Sequence, residues 1–305
     1  MLPENISRIS LGAGSFSGSM PKELSFAIMD TYTSFGGNLI DTAAVYGMGT
    51  SEQAIGNWMK ERGNRQDIYI ATKGGHPSLP DWTRRITESD IRSDMEDSLR
   101  NLQTDYVDIY FLHRDDETKP VEYIMPILDR LIREGKTRYI GASNWTASRI
   151  NEANAFARKN GMAEFSVSQI LWNGAILNRE NLHDKTLVPM DETEHAYYAE
   201  NRIPVMAYTS QTKGLFNRIC DGGYESLPEG LIKEYINEET KQRAEKIMQV
   251  SSNTGISPTA VSLAYLLNDK DVKAYPIIGK SKPERIIETM KVFSLGQKEL
   301  EILFA

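Results

Sequence analysis

The chain has 305 residues, 40% of them hydrophobic and 25% charged, which is the composition of a globular protein large enough to bury a substantial core. Its net charge of −7 argues against nucleic acid or an anionic membrane as the main partner. The single cysteine, Cys220, excludes an intrachain disulfide framework and fits a reducing cytoplasm, where we expect the protein to reside. Apolar runs stay well short of the ~20 residues that span a bilayer, and the four histidines form no HExxH pair, so we expect neither a membrane segment nor a metal site.

The amino-terminal half alternates between short apolar segments and longer segments with helical spacing. A strand is predicted over 6–11, ending at a glycine-rich turn, and a helix over 21–35 follows it. Thr87 precedes Asp90 in a pattern similar to a capping box, which marks the start of a later helix. The other elements predicted in this half are strands over 38–41, 67–72 and 106–112 and helices over 51–61, 87–102 and 121–134.

The same alternation continues through the carboxyl-terminal half. Strands are predicted over 137–141, 165–171, 204–208 and 274–278, and helices over 146–159, 183–200, 241–251, 258–267 and 282–292. The segment 211–237 has no regular pattern and is predicted to be a long irregular connection. Connections of that length are usually functional or mobile.

Eight predicted strands, each followed by helical sequence, favour one architecture. Continuously apolar strands that alternate with helices are typical of a parallel sheet covered on both faces. Eight such units favour a closed α/β barrel, the (β/α)8 TIM barrel, over an open doubly wound sheet, and no complete GxGxxG motif follows the first strand. Because no low-complexity linker interrupts the chain, we expect a single domain over residues 1–305.

Four ionisable residues lie at or just after the ends of consecutive strands, where active sites of barrels are built. They are Asp41, Tyr46, Lys73 and His113. A carboxylate could pair with the buried lysine, and a nearby ammonium favours the phenolate form of a tyrosine. Such a tyrosine can deliver a proton to a carbonyl oxygen while the histidine hydrogen-bonds the same oxygen. Since no side chain can supply hydride, this constellation implies a cofactor.

Each of the four residues also has an ordinary structural interpretation. Asp41 could cap a helix or anchor a loop, and Tyr46 could be a loop aromatic beside a glycine. Lys73 could be a solvated charge and His113 part of a surface turn. Their joint placement at consecutive strand ends is what favours the catalytic interpretation.

The chain resembles the aldo-keto reductase family along nearly its whole length. The most specific segment is Asn38–Gly47, with the sequence NLIDTAAVYG. The resemblance also rests on ATKG at 71–74, DIYFLH at 108–113, GK at 135–136, IGASN at 140–144, SQ at 168–169 and PIIGKSKP at 276–283. Several ordered motifs at compatible spacing are far more specific than one motif.

This resemblance implies a role for each matching residue. Tyr46 would be the general acid, Lys73 and Asp41 would tune it, and His113 would orient the substrate. Ser143, Asn144 and Gln169 would hydrogen-bond the nicotinamide carboxamide, and Tyr208 would stack on the nicotinamide ring. Further cofactor contacts are implied for Gly12, Ser210, Gln211, Lys213, Leu215, Gly279, Glu288 and Thr289, although the family commonly has asparagine at the last of these positions.

A basic cluster begins the last predicted helix, at Lys280, Ser281, Lys282 and Arg285. Cations at a helix N-terminus favour an anion, and an arginine can bind a phosphate through two N–H groups. The cluster matches the position where the family binds the 2′-phosphate of the cofactor, which favours NADPH, with NADH as the alternative cofactor. A solvated basic turn is the structural alternative.

The resemblance implies an NADPH-dependent reductase that converts an aldehyde or ketone, such as a sugar or another small carbonyl compound, to the alcohol. We expect a monomer or modest homo-oligomer. Two other functions stay open: a cofactor-binding regulatory subunit on this fold, similar to potassium-channel β subunits, and a Schiff-base lyase using Lys73. Neither the substrate nor the reaction direction is identified by the residues. The aromatic candidates for the pocket are Phe16, Tyr46, Trp82, Trp145 and Trp172.

Overall fold

Eight parallel strands close into a barrel in the computed structural model, which describes residues 2–16, 20–182, 184–279 and 282–305. Each strand pairs with the next along the chain, and the eighth returns to pair with the first. The predicted (β/α)8 barrel is therefore confirmed. The strands are β1 (Ser10–Gly12), β2 (Leu39–Asp41), β3 (Tyr69–Gly74), β4 (Val107–Leu112), β5 (Thr137–Ser143), β6 (Phe165–Leu171), β7 (Val205–Tyr208) and β8 (Ala274–Gly279).

Helices surround the barrel between successive strands. The Thr87 hydroxyl accepts the Asp90 N–H, so the helix start predicted there is confirmed. Across the described ranges, no helix is both long and apolar enough to cross a membrane. The helices are α1 (Lys22–Ser34), α2 (Thr50–Arg62), α3 (Glu88–Leu102), α4 (Val121–Arg133), α5 (Ala147–Lys159), α6 (Glu192–Asn201), α7 (Leu215–Gly222), α8 (Glu229–Tyr235), α9 (Glu238–Thr254), α10 (Pro258–Ser262), α11 (Ala264–Leu267), α12 (Pro283–Met290) and α13 (Gln297–Phe304).

Strand side chains point alternately into the barrel and toward the helices. In β4, Ile109 and Phe111 belong to the cluster that fills the barrel, whereas Tyr110 and Leu112 belong to the larger cluster beneath the helices. Both faces of the strand are buried, which explains its continuous apolar sequence. The strand residues that fill the barrel are Leu39, Ala71, Ile109, Phe111, Val167, Met206, Tyr275 and Ile277.

The helix predicted over 183–200 is wrong in its first half. The α6 helix begins only at Glu192, where the Asp191 carboxylate accepts the Glu194 N–H. Residues 184–190 instead return to the end of β6, where the Leu171 N–H donates to the Val188 carbonyl at 3.0 Å. Pro189, which has no N–H and disfavours a helix interior, bridges to Leu171 there. His183 lies outside the described residues.

Several other predicted elements differ in extent. The segment 211–237 is not irregular, because it contains α7 and α8; Leu215 and Phe216 are buried, so tertiary packing stabilises a helix too short to be recognised from periodicity. The helix predicted over 258–267 is divided into α10 and α11, and α13 was not predicted. Strand β1 is shorter than 6–11, since Ile6 packs with the barrel cluster from outside the strand.

Packing between α2 and α3 depends on a glycine. A Cβ atom on Gly56 would lie 2.5 Å from the Asn101 carbonyl oxygen, so Gly56→Ala must push the two helices apart. We expect this variant to lose ~1–3 kcal/mol of unfolding free energy in urea titrations. Gly230→Ala is the matched control, because α8 has open space at that position. Equal stability of the two variants would contradict close packing between α2 and α3.

Candidate active site

The alternation of the strands brings most of the predicted catalytic and nicotinamide residues into one layer at the carboxyl-terminal mouth of the barrel. Asp41, Lys73 and His113 each stand two positions after a residue that fills the barrel, so they point inward as well. Gln169 and Tyr208 obey the same rule on β6 and β7. The layer comprises Asp41, Lys73, His113, Ser143, Gln169 and Tyr208, with Tyr46 entering from the turn after β2.

A buried ion pair forms the centre of this layer. The Lys73 ammonium donates to Asp41 Oδ2 at 2.8 Å and to the Thr42 carbonyl at 2.7 Å. It also lies 3.5 Å from the Tyr46 hydroxyl. Burial by itself lowers the pKa of the Lys73 ammonium, but the electrostatic interactions and hydrogen bonds with Asp41 and Tyr46 outweigh it and raise that pKa. The geometry keeps a positive charge beside the tyrosine oxygen.

His113 is neutral in the folded protein. Burial, together with the positive charges of Lys73 and Arg114 and the neighbouring His76, holds the pKa of His113 well below its usual range. Its Nδ1 atom is buried and has no hydrogen-bond partner within the described part of the chain. A proton there would be a buried, unsatisfied donor, so we assign the proton to Nε2. The ring meets the Tyr46 ring edge-on, with centroids 5.8 Å apart.

The side-chain amides of Gln169 and Asn144 use part of their hydrogen-bonding capacity within the protein. Gln169 Nε2 donates to Asp41 Oδ1 at 2.8 Å, while Asn144 Oδ1 accepts the Tyr208 hydroxyl at 2.6 Å. Asn144 Nδ2 donates to the Ser143 hydroxyl at 3.2 Å and retains a second hydrogen. The side-chain hydrogen bond that Gln169 forms with another described residue uses Nε2, which leaves Oε1 available as an acceptor. One free donor and one free acceptor fit a carboxamide group, as the resemblance implies.

A groove of about 820 Å³ leads from these residues across the mouth of the barrel. Its volume and its lining, which mixes polar and apolar groups, suit a dinucleotide. Ser210 is buried at its side and donates its hydroxyl to the Ile277 carbonyl at 2.7 Å. The predicted residues that line the groove are Gly12, Asp41, Tyr46, Tyr208, Ser210, Gln211, Lys213, Gly279, Arg285, Glu288 and Thr289.

Other predicted cofactor residues do not line this groove, and these include Ser143, Asn144 and Gln169. Leu215 is fully buried at the start of α7, and Lys282 is exposed before α12. Lys280 and Ser281 lie outside the described residues. Arg285 is 58% exposed and pairs with Glu288 at 3.0 Å, so its guanidinium is accessible at the groove end.

One wall of the groove was missed from the sequence. It is built by α7 and the start of α10, which the Asn217 side chain joins by accepting the Thr259 N–H at 2.8 Å. Leu215 and Ile219 have helical spacing, and this signal could have placed Arg218 on the exposed side of a helix. The missed lining residues of this wall are Asn217, Arg218, Asp221, Ser257 and Thr259.

The aromatic pocket candidates divide by location. Trp82 lies near the predicted catalytic residues, because its ring is 5.8 Å from His76, whose ring is 4.8 Å from His113. Trp145 is completely buried against Phe165, so it packs in the core. Phe16 is buried as well, and Trp172 lines a separate groove beside His195.

The Lys73–Asp41 pair gives a direct test of this geometry. Lys73→Met leaves a buried carboxylate without its counter-charge, so we expect it to lose ~3–5 kcal/mol of unfolding free energy. The double variant Lys73→Met/Asp41→Asn removes that charge and should recover part of the loss. Urea titrations at pH 7 are suitable. Because the pKa of Lys73 is raised, the pair's contribution to the free energy of unfolding is lost only when the pH rises above the usual pKa of lysine. Equal losses in the single and double variants would contradict a buried ion pair.

Comparisons with known proteins support the motifs. A model of the Aldo/keto reductase family matches residues 8–303. Aryl-alcohol dehydrogenase (NADP⁺) from Phanerodontia chrysosporium is 30% identical over 98% of this chain and 82% of its own length. Norsolorinic acid reductase from Aspergillus flavus is 31% identical over 97% and 76%, and aldo-keto reductase ausK from Aspergillus calidoustus is 34% identical over 94% and 73%. The chain therefore belongs to the aldo/keto reductase family, and the resemblance found in its motifs is confirmed.

Proposed function

We propose that this protein is an NADPH-dependent reductase that converts an aldehyde or ketone to the alcohol. The observation that carries the proposal is the buried Asp41–Lys73 pair beside Tyr46 and neutral His113, next to a groove that Asp41 and Tyr46 line. When bound, the dihydronicotinamide supplies hydride from its C4 atom to the carbonyl carbon. The protein then has to deliver one proton to the carbonyl oxygen.

Tyr46 donates that proton from its phenolic oxygen to the developing alkoxide. The Lys73 ammonium stabilises the phenolate that Tyr46 becomes, and Asp41 holds the ammonium in place. Neutral His113, with its proton on Nε2, donates a hydrogen bond to the same oxygen. Because it is not an imidazolium, it does not act as the acid. Proton delivery and orientation are thus performed by two different side chains.

The cofactor assignment rests on two groups of residues, one inside the barrel mouth and one in the groove. Ser143, Asn144 and Gln169 offer the donors and acceptor that a carboxamide needs, with Tyr208 beside them. In the groove, Arg285 on the first turn of α12 provides a cation for a phosphate. The name of one relative, aryl-alcohol dehydrogenase (NADP⁺), supports the phosphorylated cofactor.

An aromatic carbonyl compound is the substrate class that we favour. Two relatives are named for aryl alcohols and for norsolorinic acid. In this chain the rings of His76 and Trp82 continue from His113 toward the surface, where Trp82 is 48% exposed. A planar substrate could pack against these rings with its carbonyl beside Tyr46.

The two alternative functions fit the site less well. A Schiff-base lysine must be deprotonated to attack a carbonyl, but Lys73 is held as an ammonium by Asp41 and the Thr42 carbonyl. A purely regulatory subunit would not need Asp41, Tyr46, Lys73 and His113 to be kept together in hydrogen-bonding geometry. Both arguments favour catalysis.

Cofactor titration tests the proposal. We expect NADPH to quench tryptophan fluorescence on binding, and to bind more tightly than NADH because the 2′-phosphate adds a charged contact. Arg285→Ala should weaken NADPH binding by about tenfold or more, and NADH binding much less. Arg100→Ala, at an exposed arginine of α3, is the control and should change neither affinity. Failure of the wild-type protein to bind either nucleotide would refute the proposal.

A further inference from the structure

A hydrogen bond crosses the mouth of the barrel from β6 to β2. Gln169 Nε2 donates to Asp41 Oδ1 at 2.8 Å, between residues that are 128 positions apart. These strands are four places apart in a closed ring of eight, so they lie on opposite sides of the barrel. Both residues are buried, with 2% and 3% of their surface exposed. The bond therefore forms inside the barrel, where water does not compete for the carboxylate.

Gln169 and Lys73 donate to different oxygens of the Asp41 carboxylate. Oδ2 accepts from Lys73 and Oδ1 accepts from Gln169, each at 2.8 Å. Two donors on opposite oxygens fix the rotation of the carboxylate about its Cβ–Cγ bond. Without the amide, the carboxylate could rotate and leave one oxygen unsatisfied in a buried place. The geometry of the Lys73 contact therefore depends on Gln169.

We propose that Gln169 is a positioning residue that holds Asp41 against Lys73 and so links the nicotinamide end of the site to the proton-donating end. Gln169 donates through Nε2 to Asp41, while its Oε1 atom can accept a hydrogen bond from a carboxamide. The nicotinamide half of this inference rests on the proposed function, whereas the Asp41 half concerns the nucleotide-free protein alone. Binding of a carboxamide would then act on the same amide that orders the ion pair.

The surroundings of Lys73 determine how the effect can be measured. Asp41 faces Lys73 from β2, the Tyr46 hydroxyl from the following turn and His113 from β4, with Arg114 behind His113. Gln169 itself does not titrate, so replacing it by another uncharged residue changes no charge. A change in the ionisation of Lys73 would therefore report the position of Asp41.

The experiment is a pH titration of the Lys73 side chain by NMR in nucleotide-free protein labelled with ¹³C-lysine, the signal being assigned by its loss in Lys73→Met. In the wild type the Asp41 charge raises the pKa of Lys73 above its usual value. We expect Gln169→Met to lower the midpoint of the Lys73 titration by at least about half a pH unit. Gln169→Asn, whose shorter amide cannot reach Asp41, should do the same and serves if the methionine variant fails to fold.

Two further variants separate positioning from a general packing effect. In Gln169→Glu the introduced carboxyl can share one proton with Asp41, so the Lys73 midpoint should be at least as high as in the wild type. Gln242→Met, at an exposed position of α9, should leave the midpoint unchanged. Unchanged midpoints in both Gln169→Met and Gln169→Asn would overturn the proposal, whatever the outcome of NADPH binding.

Discussion

The site is organised by a positive charge that is kept inside the barrel. The Lys73 side chain is completely buried, and removing an ammonium from water costs several kcal/mol unless its hydrogens are satisfied. Asp41, the Thr42 carbonyl and the Tyr46 hydroxyl surround it. Because these three groups come from β2 and the turn after it while Lys73 comes from β3, the positions of β2, β3 and that turn are constrained together. Tyr46, the proton donor that we propose, is thus placed by the same contacts that stabilise the buried lysine.

The barrel makes such a cluster possible through the two-residue period of its strands. Side chains that fill the barrel are followed, two positions later, by the side chains of the site. The apolar layer below excludes water and strengthens the electrostatic interactions above it. Neutral His113 and charged Lys73 can therefore lie in one layer, because the charge of the lysine and burial both disfavour a proton on the histidine. The same buried layer thus holds Lys73 as a charged group and His113 as a neutral one.

The sequence analysis predicted the features that a local sequence pattern determines, which are the strands and the residues at their ends. The strands could be recognised because continuous apolar segments are typical of strands buried on both faces, and the strand ends then indicated Asp41, Lys73 and His113. Interactions between distant segments could not be predicted. The bond between Gln169 and Asp41 joins residues 128 positions apart, and the return of residues 184–190 to β6 replaces a predicted helix. Trp145 illustrates the same limit, since its sequence position suggested the pocket while its packing places it in the core.

The central claim is that Tyr46 donates a proton while NADPH supplies hydride. The most direct measurement is single-turnover reduction of an aromatic aldehyde with NADPH deuterated at C4, with mass spectrometry of the alcohol. The wild-type protein should place one deuterium on the alcohol carbon, and Tyr46→Phe should slow this transfer by about 10²-fold or more while still binding NADPH. Transfer by Tyr46→Phe at the wild-type rate, or an alcohol without deuterium at that carbon, would contradict the account.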